Sequence, residues 1–209
     1  MRKRTKRHGT RKKKLRMIFV LALCCILLWT FFFRDGAFFH QGVPISGREI
    51  PLLLQTDVRW ANDSYGDGTV GEDGCGPTCV AMVIRGLLGT DVTPDEVADF
   101  SENNGYFSAG SGTSWALMTD GVADYGLSGQ EIPLDRGSIL NALESGHPII
   151  ASVREGDFTE KGHFIVLAEV ADNGEIVVND PNSKSLSKRT WPVDRLMPQI
   201  KNLWRFSPT

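Results

Sequence analysis

Asp73-Gly74-Cys75-Gly76-Pro77-Thr78 sets a thiol just ahead of a run in which Val80, Val83, Ile84, Leu87 and Leu88 recur at helical spacing. Pro77 suits a first helical turn, where a missing N–H costs nothing. A thiol at a helix N-terminus feels the positive end of the dipole, which favours the thiolate, the nucleophilic form. Gly74 and Gly76 leave room for a substrate backbone beside the sulfur. A Gly-Cys-Gly by itself is equally the mark of a buried structural cysteine in a tight turn.

A nucleophilic cysteine needs a base, and the base needs an orienting group. Of four histidines, His8 lies in a basic tail and His40 follows an apolar segment. His147 lies in a helix-to-strand turn, Glu144-Ser145-Gly146-His147-Pro148. His163 opens His163-Phe164-Ile165-Val166-Leu167-Ala168, a strand, which is followed by Asp172-Asn173-Gly174 and a second strand, Glu175–Asn179, ending in Asp180-Pro181. Asn-Gly between two apolar runs is a hairpin signal. Closing that hairpin returns Asp180 to within a few residues of His163, roughly 5 Å away across the ladder, with side-chain parity left open. Taken singly, His163 is an ordinary strand residue and Asp180 a turn residue before proline. Together, downstream of the Cys75 segment, they favour a Cys-His-Asp triad.

Gln55 stands 20 residues before Cys75, after the apolar Pro51-Leu52-Leu53-Leu54. Its amide could donate to a developing oxyanion, together with the Cys75 N–H. Without that context Gln55 reads as a surface residue.

The order Gln55…Trp60…Gly74-Cys75-Gly76-Pro77-Thr78…His163-Phe164…Asp180-Pro181 resembles the papain-like cysteine peptidases related to the double-glycine leader peptidases, which process bacteriocin precursors. The resemblance spans roughly residues 50–206 and extends to Gly112-Thr113-Ser114-Trp115. It implies a papain-like fold, with Cys75 as nucleophile, His163 as general base and acid, Asp180 orienting the imidazole and Gln55 lining the oxyanion hole. It implies no cofactor, and a peptide or protein substrate, cell-wall peptide among the candidates. Leader peptidases are usually fused to a transporter, which this sequence does not contain, so their substrate is not carried over.

The elements that would position these residues read as helices first and strands later, an α+β order with an antiparallel sheet. Thr93-Pro94-Asp95-Glu96 is a helix start with a capping threonine and an acid three residues on. Trp115–Tyr125 is a third helix weakened by Gly121, and a fourth ends at Glu144. Strands follow at Pro148–Arg154, His163–Val170 and Glu175–Asn179, with a last one near Leu203–Phe206.

Residues 1–16 carry ten Lys or Arg and no acid, and residues 17–33 carry no charge. Seventeen residues is the short end of a bilayer span, about 17–25. The run is longer than a signal-peptide core of about 7–15 and ends in Trp29-Thr30-Phe31-Phe32-Phe33 without a cleavage motif. This predicts an uncleaved signal anchor, with residues 1–16 cytoplasmic and the C-terminal part outside the cell. Residues 34–49, with Gly36, Gly42, Pro44 and Gly47, read as a stalk, and residues 50–209 as one domain. A nucleic-acid-binding tail is the other use of such a basic run. Removing the ten tail cations from 23 leaves 13 against 25 acids, a charge of −12 for the remainder. So acidic a domain does not suit nucleic acid and favours basic or neutral substrates.

Cys24 and Cys25 fall within the span. Cys75 and Cys79, one turn apart on one helix, suit a disulfide poorly, and no second pair of ligands clusters with them for zinc. Two kinds of function remain: a membrane-anchored thiol hydrolase, either a peptidase or a cell-wall amidase, and a non-catalytic external binding domain of the same fold.

Overall fold

The computed structural model describes residues 49–110 and 112–209. The expected basic tail (1–16), the apolar span (17–33) and all of the stalk except Glu49 lie outside the described residues. Among the described residues no helix is long and apolar enough to cross a membrane.

The elements in chain order are β1 (Ser64–Tyr65), β2 (Gly68–Thr69), α1 (Val70–Asp73), α2 (Cys75–Leu88), α3 (Pro94–Asn103), β3 (Phe107–Ser108), β4 (Gly112–Thr113), β5 (Leu127–Glu131), α4 (Arg136–Glu144), β6 (Ile149–Arg154), β7 (Gly162–Val170), β8 (Ile176–Asn179), β9 (Thr190–Trp191), α5 (Val193–Leu196) and β10 (Ile200–Pro208). Six strands form an antiparallel sheet in the order β5-β10-β6-β7-β8-β9. The α+β reading with an antiparallel sheet therefore holds.

The sheet is covered on both faces. Ile150, Phe164, Val166, Trp204 and Phe206 pack with α2 and α3 in one core, while Ile149, Ala151, Ile165, Leu167 and Leu203 pack with α4 and α5 in the other. This is why β6 and β7 are continuous apolar runs rather than alternating ones. α2 is buried along most of its length, so it lies as a central helix against β7. It ends at Gly89, whose φ of 69° is left-handed and whose N–H caps Arg85 O. α3 starts as its sequence predicts: Thr93 N–H donates to Glu96 Oε2 at 2.8 Å in a capping box.

Three elements depart from the sequence expectations. The expected helix Trp115–Tyr125 is two 3-10 turns, Trp115–Met118 and Gly121–Tyr125. A Cβ on Gly121 would lie 2.8 Å from Leu117 Cδ1 and 3.0 Å from Tyr106 Cε2, so the chain packs tightly where the second turn begins. β5, Leu-Ser-Gly-Gln-Glu, has no apolar run to announce it and exists through its pairing with β10. The last strand runs Ile200–Pro208, longer than expected, because it has ladders on both sides, to β5 and β6.

Candidate active site

Cys75 is the first residue of α2, with Gly74 at the N-cap. Its N–H thus belongs to the first turn, which has no intrahelical acceptors. The first helical bond that closes on the cap runs from Thr78 N–H to Gly74 O at 3.0 Å. Cys75 is half-buried and Cys79, one turn on, is fully buried; both are free thiols. Burial, reinforced by the nearby charges of Cys75 and Asp180, pushes the Cys79 thiol well above its usual range. The two glycines do not stand in open space as expected. A Cβ on Gly76 would lie 2.6 Å from the Thr113 side chain, and one on Gly74 would lie 2.4 Å from Val70 O. Their bareness lets the protein's own chain pack against the nucleophile helix.

His163 is the second residue of β7 and is buried. The β7–β8 ladder ends at the Val166–Asn179 pair, so Asp180 lies just past the strand and reaches His163 from the start of a loop. The parity that sequence left open is settled by that contact and not by the ladder register. His163 Nε2 bonds Asp180 Oδ1 at 2.8 Å, and Cys75 stands close enough to the imidazole to act on its pKa. With Nε2 taken, Nδ1 is the nitrogen left for the sulfur. Burial alone pulls the imidazole pKa down. The hydrogen bond to Asp180 and the adjacent Cys75 side chain, with the charges of both, outweigh it and raise His163 to about 9.

Gln55 is 2 % exposed, so it is not a surface residue. The strap that carries it, residues 50–55, has no strand partner and is held by other means. Asn179 Nδ2 donates to Ile50 O at 2.8 Å, Trp60 Nε1 donates to Leu54 O at 2.8 Å, and Gln55 N–H donates to Pro181 O at 2.8 Å. Gln55 Nε2 donates to Gly71 O at 2.9 Å and more loosely to Glu72 O at 3.4 Å. The amide is thus fixed on the main chain just ahead of Cys75. The same bonds explain Trp60, whose indole staples the strap.

The loop that leads into His163 is clamped. Arg195 donates to both oxygens of Asp157 at 2.7 Å, and Gln199 Nε2 donates to Asp157 Oδ2 at 2.7 Å. Phe158 packs on Trp191 with ring centroids 4.6 Å apart. His147 takes no part in the cluster: its Nδ1 meets Phe206 O at 3.1 Å. Sequence reasoning missed the clamp, whose partners lie 38 and 42 residues apart. It also missed Asn182 and Ser187, which bond Asp180 and stand in a polar run that looks like any surface loop.

A thiol at a helix start, an imidazole beside it and a buried carboxylate behind the imidazole form the constellation of a thiol hydrolase. The chain belongs to the Peptidase_C39 like family, whose sequence model matches residues 48–207, and is by that membership a cysteine peptidase. The resemblance read from the Gln55, Cys75, His163 and Asp180 segments agrees with this. Among solved structures, the peptidase domain of Streptococcus ComA, a bifunctional ABC transporter involved in quorum sensing, is similar at 17% identity and a TM-score of 0.53, over 77% of this chain and 99% of that one. A double glycine motif protease from an AMS/PCAT transporter, in complex with the leader peptide, is similar at 18% identity and a TM-score of 0.48, over 78% and 95%. At such identity the ComA likeness speaks for the fold alone. No curated protein matches the chain.

Proposed function

We propose that this peptidase is anchored in the membrane by residues 17–33, faces the outside of the cell, and hydrolyses peptide bonds through Cys75, His163 and Asp180. The observation that supports the triad is one imidazole bonded to Asp180 at 2.8 Å with the Cys75 thiol beside it. The Cys75 thiolate attacks the scissile carbonyl carbon, and the C=O electrons move onto oxygen. The Cys75 N–H and the more loosely held N–H of Gln55 stabilise that oxyanion. The His163 imidazolium gives its proton to the leaving nitrogen as the C–N bond breaks, which leaves a thioester. Water then attacks with His163 as base, and the acid and the thiol are released. The excess of acids outside the basic tail favours basic or neutral peptides.

Full-length protein in detergent, incubated with a mixed peptide library and with cell-wall fragments, is expected to release new peptide termini that the Cys75→Ala protein does not. Release from wall fragments alone would make it an amidase. No Cys75-dependent product from either would leave a binding domain.

The ten cations ahead of the apolar run motivate the orientation. In intact cells, external protease is expected to degrade the domain from Gly36 onward and to spare residues 1–16. Protection of the domain would reverse the topology.

A further inference from the structure

Asp180 is completely buried, yet only one of its carboxylate oxygens is held. Oδ1 accepts from His163 Nε2 at 2.8 Å and from Asn182 N–H at 2.9 Å, while Oδ2 has no partner among the described residues. A carboxylate gripped by one oxygen is placed chiefly by its own main chain. That main chain ends a strand and enters a loop, so no further ladder pair fixes it. Two contacts hold it: Asp180 N–H donates to the hydroxyl of Ser187, seven residues on, at 2.9 Å, and Asp180 O accepts from Ser183 N–H at 3.2 Å. The single Ser187 proton goes to Ser183 O at 2.9 Å, with Asp180 O more distant at 3.4 Å. Ser187 is itself fixed. Its N–H donates to Ser183 O at 3.1 Å, and the buried Trp191 donates its indole N–H to Leu186 O at 3.2 Å. Thus a core tryptophan holds the Leu186–Lys188 turn, the turn holds the serine, and the serine holds the aspartate.

We propose that Ser187 is a positioning residue of the active site: its hydroxyl sets the main chain of Asp180 and so keeps the carboxylate on His163. The inference rests on His163 and Asp180 being base and orienting group. Without the hydroxyl the Asp180 N–H is left unsatisfied in a buried place, and the chain turns to find a partner. The carboxylate turns with it, and its support of the imidazolium weakens. The charged and titratable groups facing His163 are Asp180 from the end of β8 and Cys75 from α2. Cys79 lies behind them, coupled to both. Across the ladder on β6 stands the uncharged Val153.

The test reads His163 directly, by NMR titration of the full chain labelled with 15N-histidine in detergent. The sequence has four histidines, so the spectrum is simple. Ser187→Ala is expected to lower the His163 titration by about one pH unit. It should also lower kcat by roughly tenfold to a hundredfold with KM little changed, the signature of misplacement rather than lost binding. Ser187→Thr, which keeps the hydroxyl, should restore both. Ser183→Ala is the control. Its hydroxyl accepts from Leu186 N–H at 3.2 Å and serves the same loop without touching Asp180, so both readouts should stay unchanged. Ser187→Cys, with a weaker donor and acceptor, should shift the titration less and in the same direction, and replaces the alanine variant if that one does not fold. A His163 titration unmoved in these variants, or moved equally by Ser183→Ala, overturns the proposal. Because the titration needs no turnover, an inactive wild-type protein would count against the peptidase reading and not against Ser187.

Discussion

Cys75→Ala and His163→Ala are each expected to abolish nearly all hydrolysis, a loss on the order of 10⁴-fold or more in kcat, while Asp180→Asn should retain measurable turnover. Nucleophile and base act as one unit, so deleting either costs what deleting both costs. The orienting group acts through the base. Asn in place of Asp180 can still accept from the ring, but it removes the charge that helps to hold the proton on His163. The double variant Cys75→Ala/His163→Ala should therefore be no worse than either single one. Steady-state kinetics on a peptide identified from the library would check this. Near-normal rates in His163→Ala would remove His163 from the mechanism. The other histidine of the domain, His147, is bonded to Phe206 O and has no carboxylate partner among the described residues, so it is a poor substitute.

Much of this site is legible from residue types and order because its chemistry is local. The Gly-Cys-Gly-Pro-Thr segment makes a helix start wherever it folds, and Asn-Gly between apolar runs closes β7 on β8. Together these bring Cys75, His163 and Asp180 into one neighbourhood before any coordinates are seen. Parity was not legible, because the ladder slips between Leu167 and Glu169 and ends at Asn179, one residue short of Asp180. Gln55 is the reverse case: alone it reads as exposed, and it is buried because Trp60 close by and Asn179 and Pro181 from far along the chain hold the strap. β5 was invisible for the same reason, a polar strand recruited by the edge of β10. The glycines beside Cys75 were legible as necessary but misread in purpose, since the neighbours they admit are Thr113, at Gly76, and Val70, at Gly74, rather than substrate.

Hydrolysis is expected to hold up to about pH 9 and to fall above it, because the leaving nitrogen takes its proton from a His163 whose ordinary 6.5 is raised to about 9. The sign follows from the causes. Asp180 and Cys75 favour the protonated ring more than burial disfavours it, so the proton is lost late. The stability drawn from this pairing is complete below pH 6.5 and disappears as pH rises through about 9. Asp180→Asn should move the alkaline limb of kcat/KM down, toward the ordinary histidine value. Alkylation tests the other half of the pair. At neutral pH, iodoacetamide should label Cys75 faster than Cys79 by on the order of a hundredfold. Cys75 is half-buried beside an imidazolium, whereas Cys79 is sealed in the core with its thiol pushed up. His163→Ala removes the cation beside the sulfur and should slow Cys75 labelling at neutral pH. Mass spectrometry of the tryptic peptides reads both sites, provided the digest resolves the two cysteines by fragmentation. Equal labelling of Cys75 and Cys79, or a Cys75 rate indifferent to His163, would mean that the thiol and the imidazole do not act as a pair. The domain would then keep the fold of a peptidase and only bind.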